Sequence, residues 1–153
     1  LPPILAEETR NFSLESFQQE AWQGFKHEAW PQRKKQTWSK TDNSQKNILV
    51  NTENLRSSIR IDEIRGNRVR IVAGGSTAPY ARVHNFGFRG KVNQRVKSHT
   101  RIVKGSKIKV KAHNRTMMQN IPQRRFIGGE ESSPELKRRL YAIVRNELKN
   151  TLK

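Results

Sequence analysis

The sequence predicts an α+β fold in which one helix near each end of the chain packs on an antiparallel β-sheet with long basic loops. Two kinds of apolar spacing predict it: helical spacing toward both ends of the chain, and alternation at every second position in the middle. A length of 153 residues fits one domain, residues 1–153, but only 33% of the residues are hydrophobic. A core this thin is often completed by a partner or by further copies of the chain.

The two helices are predicted from caps and apolar stripes. Asn11 or Ser13 can cap the first helix, and Pro31 bars its continuation. The last helix opens with Ser132-Ser133-Pro134-Glu135, in which a serine can cap and Pro134 fits the first turn. The first helix has the apolar face Leu14, Phe17, Ala21, Trp22, Phe25 and Ala29, and the last has the stripe Leu136, Leu140, Ile143, Val144, Leu148 and Leu152.

The predicted sheet lies between these helices. Thr52 can cap a short helical turn, after which Ile59, Ile61, Val69, Ile71 and Ala73 alternate around a Gly66-Asn67 turn, as in a β-hairpin. Residues 80–87 have the spacing of a helical turn that ends at a glycine. In residues 107–112 lysine alternates with apolar residues, which predicts a strand. Its lysines have two explanations: they protect a sheet edge, or they face phosphate.

Residues 32–47 are almost entirely polar and predict an exposed loop. Trp38 is the one large apolar side chain in the middle of this loop. It has two interpretations, as an anchor that holds the loop to its own domain or as a contact with another chain.

Positive charge is concentrated in the middle of the chain. The tract from Arg65 to Gly129 contains 16 Lys and Arg and no acidic residue, while all 13 acidic residues and 15 basic residues lie outside it. Such a tract repels itself unless an anionic partner or an extended geometry relieves the charge. It therefore predicts a function beside negative charge. The residues predicted to face DNA or an acidic partner are Arg89, Lys91, Arg95, Lys97, Arg101, Lys104, Lys107, Lys109 and Lys111.

The basic residues are spread over predicted strands and loops, and no zinc-finger, RRM or KH signature is present. This pattern favours sequence-independent contact with phosphates, and the structural alternative is a solvated basic surface. A nucleic-acid-binding protein that acts alone is therefore one functional hypothesis.

The sequence offers little material for catalysis. It contains no Cys, its four His are scattered without metal-ligand spacing, and its basic tract lacks the carboxylates of acid–base or two-metal chemistry. Gly74-Gly75 lacks the rest of a phosphate-binding motif. We expect no enzymatic activity, cofactor or metal. No apolar run is long enough to span a bilayer, and the start does not resemble a signal peptide, so we expect a soluble product.

Several short motifs occur in an order that resembles the tailed-phage virion morphogenesis family, which includes Mu-like tail-completion and head–tail joining proteins. The resemblance covers nearly the whole chain, roughly Phe17 to Leu148. A departure is Arg125, where many relatives are expected to have proline. The motifs are Ile48-Leu49-Val50, Leu55-Arg56-Ser57-Ser58-Ile59, Tyr80-Ala81 with His84-Asn85-Phe86-Gly87, Val110-Lys111-Ala112-His113-Asn114-Arg115, and Ile121-Pro122-Gln123-Arg124-Arg125-Phe126-Ile127-Gly128.

The resemblance implies a non-enzymatic virion protein at the neck or the head-proximal end of the tail, made in the host cytoplasm. Its expected partners are copies of itself in a ring around the DNA channel, neighbouring neck, connector and tail-tube proteins, and phage DNA through non-specific phosphate contacts, with no membrane. The residues expected to contact neighbouring chains are Trp38, Arg124, Arg125 and Phe126.

Overall fold

The structure is a computed structural model that describes residues 1–33, 46–50, 52–66 and 68–152. Trp38 and most of the predicted loop 32–47 therefore lie outside the described residues. The chain forms two compact units: Leu1–Gly87 together with Pro122–Lys153, and Phe88–Ile121. We call the first the body and the second the ribbon. Both helices and antiparallel strands are present, which confirms the α+β class.

The body begins with helix α1, Pro2–Gln19, followed by the short strands β1, Ala21–Gln23, and β2, His27–Ala29. The predicted first helix, from Asn11 or Ser13 to Ala29, is thus wrong at both ends. Proline in its first turn lets the helix start early, and Glu20, in the left-handed conformation with φ 48°, ends it. The chain then doubles back, so that Trp22 pairs with Glu28 in an antiparallel hairpin.

The central hairpin is confirmed. Helix α2, Asn54–Ser57, precedes strands β3, Arg60–Arg65, and β4, Arg68–Val72, which pair antiparallel with an irregularity between Ile61 and Glu63. Gly66 has φ +54° at the turn, as the predicted Gly-first turn requires, and Asn67 lies outside the described residues. The residue before α2 is Glu53, without a side-chain cap, so the prediction of a Thr52 cap is wrong.

Helix α3, Ala81–Phe86, ends at Gly87 as predicted. Helix α4, Pro134–Thr151, follows a short 3₁₀ helix, Glu130–Ser132, and is also confirmed. The Ser133 hydroxyl accepts the amide N–H of Leu136 at 3.1 Å and donates to the carbonyl of Gln23. The predicted cap therefore also fastens the start of α4 to the β1–β2 hairpin.

Two apolar clusters form the core of the body. In the first, the indole of Trp30 lies edge-on to the ring of Phe17, whose centroid is 5.2 Å from that of Phe126. In the second, Phe12 of α1 and Leu136 of α4 enclose Trp22, and Leu140 packs at its edge. The buried members of the first cluster are Phe17, Trp30, Ile48, Leu55, Ile59, Ala78, Ala81 and Phe126.

An ion cluster supplements the apolar contact between the terminal helices. The Arg139 guanidinium of α4 donates to Glu15 of α1 at 2.9 Å, to Glu8 at 3.3 Å and to Glu135 of its own helix at 3.0 Å. It also lies over the ring of Phe12, 5.2 Å from the centroid. Hydrogen bonds from Arg138 and Arg139 lower the pKa of Glu135 to about 2. The cluster fixes α4 against α1.

The ribbon has four strands: β5, Phe88–Val96; β6, His99–Val103; β7, Ser106–Val110; and β8, His113–Ile121. The sequence predicted loops here with one clear strand at residues 107–112. That strand is confirmed as β7, although it ends at Val110, and much of the expected loop is also strand.

Candidate interaction surface: a basic β-ribbon

The ribbon is a single long hairpin. Strand β5 pairs with β8 and strand β6 with β7, both antiparallel. Val96 pairs with His113, and His99 pairs with Val110, so the same register continues from one ladder to the next. At the tip, Lys104 (φ 49°) and Gly105 (φ 83°) both have positive φ, as a two-residue type I′ turn requires. The sixteen residues of each arm span about 50 Å at about 3.3 Å per residue.

All nine residues that the sequence predicted to face DNA or an acidic partner lie in the ribbon, and all nine are exposed. Arg115 of β8 is a tenth exposed basic residue that the prediction left out. The signal for Arg115 was available, because the acid-free tract continues past it to Gly129. The ribbon thus concentrates cations without one internal carboxylate. Their partner stays a prediction.

Two motifs that lie far apart in the sequence meet in the body. The Asn85 side-chain oxygen accepts the amide N–H groups of Phe126 at 3.0 Å and Ile127 at 3.1 Å. The Asn85 carbonyl accepts from Gln123, and the His84 carbonyl accepts the amide N–H of Arg124 at 2.8 Å. We call this arrangement the Asn85 clamp. It joins the two body segments that precede and follow the ribbon in the sequence.

Three of the residues predicted to contact neighbouring chains, at positions 124–126, make contacts within the body of the single chain. Phe126 is fully buried in the first cluster, and Arg124 is buried with its guanidinium bonded to the carbonyl of Pro31 at 2.7 Å. The Arg125 guanidinium lies over the indole of Trp22, 5.4 Å from the centroid, and its carbonyl accepts from Trp30 at 2.8 Å. These side chains hold the extended segment on the body. In the single chain Phe126 and Arg124 therefore act in packing, and contact of Trp38, Arg124, Arg125 or Phe126 with another chain stays a prediction.

His84 is the perturbed histidine of this region. Burial, and then the nearby Arg124 guanidinium, lower its pKa below the ordinary value of 6.5. Its Nδ1 is buried without a hydrogen-bond partner, and its ring lies edge-on to Tyr80 at 5.7 Å between centroids. Burial and the Arg124 guanidinium both disfavour the imidazolium form, so folding favours the neutral imidazole.

This gives a pH prediction. The unfolded chain binds the His84 proton more tightly than the folded chain, so the free energy of unfolding falls as pH drops below about 6.5 toward the lower folded pKa. Glu135 loses its stabilising contribution only below its unfolded pKa of 4.5, which leaves His84 as the main shifted group from about pH 7.5 to about pH 5. Urea unfolding of the His84→Gln variant should show a weaker pH dependence over this range. The exposed His99→Gln variant is the control, and equal pH dependence in both variants would contradict the prediction.

Potential metal ligands lie apart from one another in the described residues. No group of three or more His, Cys, Asp or Glu among them could hold a metal ion. An open cleft of about 690 Å³ lies beside β4 and α3, between Ile71, Phe86 and Arg125, and Glu131 is the carboxylate among its described lining residues. None of the lining residues described for the cleft is a histidine or cysteine. Within the same described part of the chain, no helix is long and apolar enough to cross a membrane.

A model of the phage virion morphogenesis family matches residues 6–149. The chain belongs to this family. The match includes the ribbon, the Asn85 clamp and nearly all of both terminal helices. Membership in the phage virion morphogenesis family assigns the chain a structural role in building the phage particle and supports a virion component over an enzyme. Searches of curated proteins and of solved structures find no match.

Proposed function

We propose that the chain acts at the neck or head-proximal end of a phage tail, in tail completion and head–tail joining, as part of a ring of copies around the DNA channel. The observation that carries the proposal is the concentration of charge on one structural unit of a virion morphogenesis protein. The ribbon holds ten of the chain's 31 basic residues and none of its 13 acidic residues. In a ring, every copy would contribute its ribbon, so the positive potential at the channel would multiply with copy number.

The distal half of α4 supports the ring. In the second half of α4 the apolar side chains are no longer covered by the rest of the body. Tyr141, Leu148 and Leu152 are exposed by 58%, 55% and 84%. These side chains and Val144 line a shallow groove along the helix, together with the cations Arg145 and Lys149. An apolar surface of this kind marks a protein contact. A second copy of the chain is the occupant that a ring supplies, and it would complete the thin core expected from the composition.

Disruption of the gene in a phage that carries it tests the proposal. Electron microscopy of the lysate should show filled heads separate from tails, or tails of uncontrolled length, because the joining surface or the tail end is missing. Purified wild-type particles should contain the chain in stoichiometric amounts. Complementation by the wild-type gene controls for effects on neighbouring genes.

Normal infectious particles from the disrupted gene, with the chain absent from purified wild-type particles, would contradict a neck role. The same result would favour the other functional hypothesis, a sequence-independent nucleic-acid-binding protein that acts alone.

A further inference from the structure

The cations of the ribbon are divided between its two faces. Successive side chains on a strand project to opposite faces, and residues paired across an antiparallel ladder share a face. The register pairs every odd-numbered residue of one arm with an even-numbered residue of the other, as in Arg95 with Asn114 and Thr100 with Lys109. Every strand cation has an odd number. In the β5–β8 ladder, Arg89, Lys91 and Arg95 therefore lie on one face and Arg115 on the other; in the β6–β7 ladder, Arg101 lies on one face and Lys107 and Lys109 on the other. We call Arg89, Lys91, Arg95 and Arg101 the outgoing set and Lys107, Lys109 and Arg115 the returning set. Lys97 and Lys111 lie between the strands and belong to neither set.

This division limits the shape of the partner. A flat anionic surface that lies against one face of the ribbon would reach one set and leave the other in solvent. A partner that neutralises both sets has anionic walls on two sides. The major groove of duplex DNA has this form, because it is about 12 Å wide, admits a two-stranded β-ribbon and is bordered by the phosphates of both strands.

The remaining ribbon side chains favour duplex over single-stranded DNA. Proteins that bind single strands combine positive charge with aromatic side chains on which the bases stack. The Phe, Tyr and Trp residues of the ribbon amount to Phe88 alone, which is the first residue of β5 and lies at the end opposite the tip. The two arms of the ribbon each span about 50 Å, which exceeds the helical repeat of duplex DNA, about 34 Å. Phosphates of one full turn are thus within reach.

We propose that the ribbon is a two-sided arm that enters the major groove of duplex DNA edge-on, with one face toward each wall, so that the outgoing and returning sets neutralise phosphates on the two walls of the groove. The inference rests on the proposed function, because it gives the ribbon a binding partner in a DNA channel. Binding is sequence-independent, since phosphate contacts carry no base information. Lys104, at the turn, belongs to neither set.

Salt dependence of binding tests the arm. The full chain is titrated with a mixed-sequence duplex of about 30 base pairs at about 50 to 200 mM salt, because each neutralised phosphate contributes about 0.9 to the slope of log K against log salt. One variant carries Lys91→Gln, Arg95→Gln and Arg101→Gln, and the other carries Lys107→Gln, Lys109→Gln and Arg115→Gln. Each should reduce the slope by about 2.7, so that its affinity changes about 40-fold less than wild type across this salt range.

The matched control removes three exposed cations of the body, outside the ribbon and the α4 groove, in the variant Lys26→Gln, Lys46→Gln and Arg65→Gln, and its slope should equal that of wild type. Circular dichroism checks that each variant keeps its strands. A slope change in one ribbon variant alone would overturn the two-sided arm, and so would unchanged slopes in both. Equal competition by single-stranded DNA of the same charge would overturn the choice of duplex, and equal competition by polyglutamate would favour an acidic protein partner.

The failure of this inference differs from that of the proposed function. Particles that contain the chain and need it for joining, combined with no duplex binding by the purified chain, would overturn the arm and leave the neck role intact. If the chain binds duplex DNA through both sets but is absent from particles, the arm stands and the neck role is overturned.

Discussion

The Phe126→Ala variant is expected to lose about 3–5 kcal/mol of unfolding free energy, the usual cost of truncating a buried phenylalanine. Phe126 has no exposed surface and lies against Phe17, which in turn lies against Trp30. Truncation therefore opens a cavity where the extended segment after the ribbon meets the core. Domains are stable by about 5–15 kcal/mol, so this loss is a large fraction of the total. Urea denaturation measures the loss, and the melting temperature should fall by roughly 6–20 °C.

The matched control is Phe25→Ala, in the turn between β1 and β2. Phe25 is 79% exposed, so its truncation should change stability by no more than about 0.5 kcal/mol. Similar effects of the two substitutions would show that Phe126 is not in the core. That result would return Phe126 to the surface role predicted from the sequence.

Elements with strong local signals were predicted correctly from the sequence. Helix α4 has a serine cap, a proline in its first turn and a long apolar stripe, and each of these acts within a few residues of the position it determines. The β3–β4 hairpin likewise has a glycine at its turn and apolar residues at alternating positions. Such signals are readable because the interactions behind them are local.

The first helix was mispredicted because helical spacing continues by coincidence into a hairpin. Trp22 and Ala29 fall on the apolar face of an extended helix, yet in the structure they lie on the paired strands β1 and β2. The competing interaction is tertiary. Burial of the Trp22 indole edge-on against Phe12, 5.3 Å between centroids, outweighs continuation of the helix through Gly24.

The ribbon was only partly predicted for a different physical reason. A two-stranded hairpin buries little apolar surface, so its strands need no continuous apolar alternation. In β5, Val92 and Val96 are separated by Gln94, and Gly90 weakens the strand signal further. The tract of positive charge nevertheless located the candidate surface. The division of the cations between the two faces depends on the strand register, and the register cannot be read from the charge pattern.

The Asn85→Ala variant is expected to lose about 2–6 kcal/mol of unfolding free energy, because two amide donors lose their acceptor. Asn85 is buried, and its side-chain oxygen is the acceptor for the amide N–H groups of both Phe126 and Ile127. Alanine removes that acceptor, and each unsatisfied buried donor costs about 1–3 kcal/mol. Urea denaturation measures the loss. In this variant, hydrogen exchange should become faster at the amides of Phe126 and Ile127 than in wild type, with a smaller change at the amides of the ribbon.

The control for the clamp is Asn114→Ala, because Asn114 is an exposed asparagine of β8 and its truncation should be nearly neutral. The comparison separates two roles for the motif that contains Asn85. If the clamp holds the segments before and after the ribbon together, only Asn85→Ala loses stability and exchange protection at Phe126 and Ile127. If both variants are as stable as wild type and protection is retained, the clamp does not stabilise the body. The joined motifs would then need a role outside the folded monomer, such as contact with a neighbouring chain.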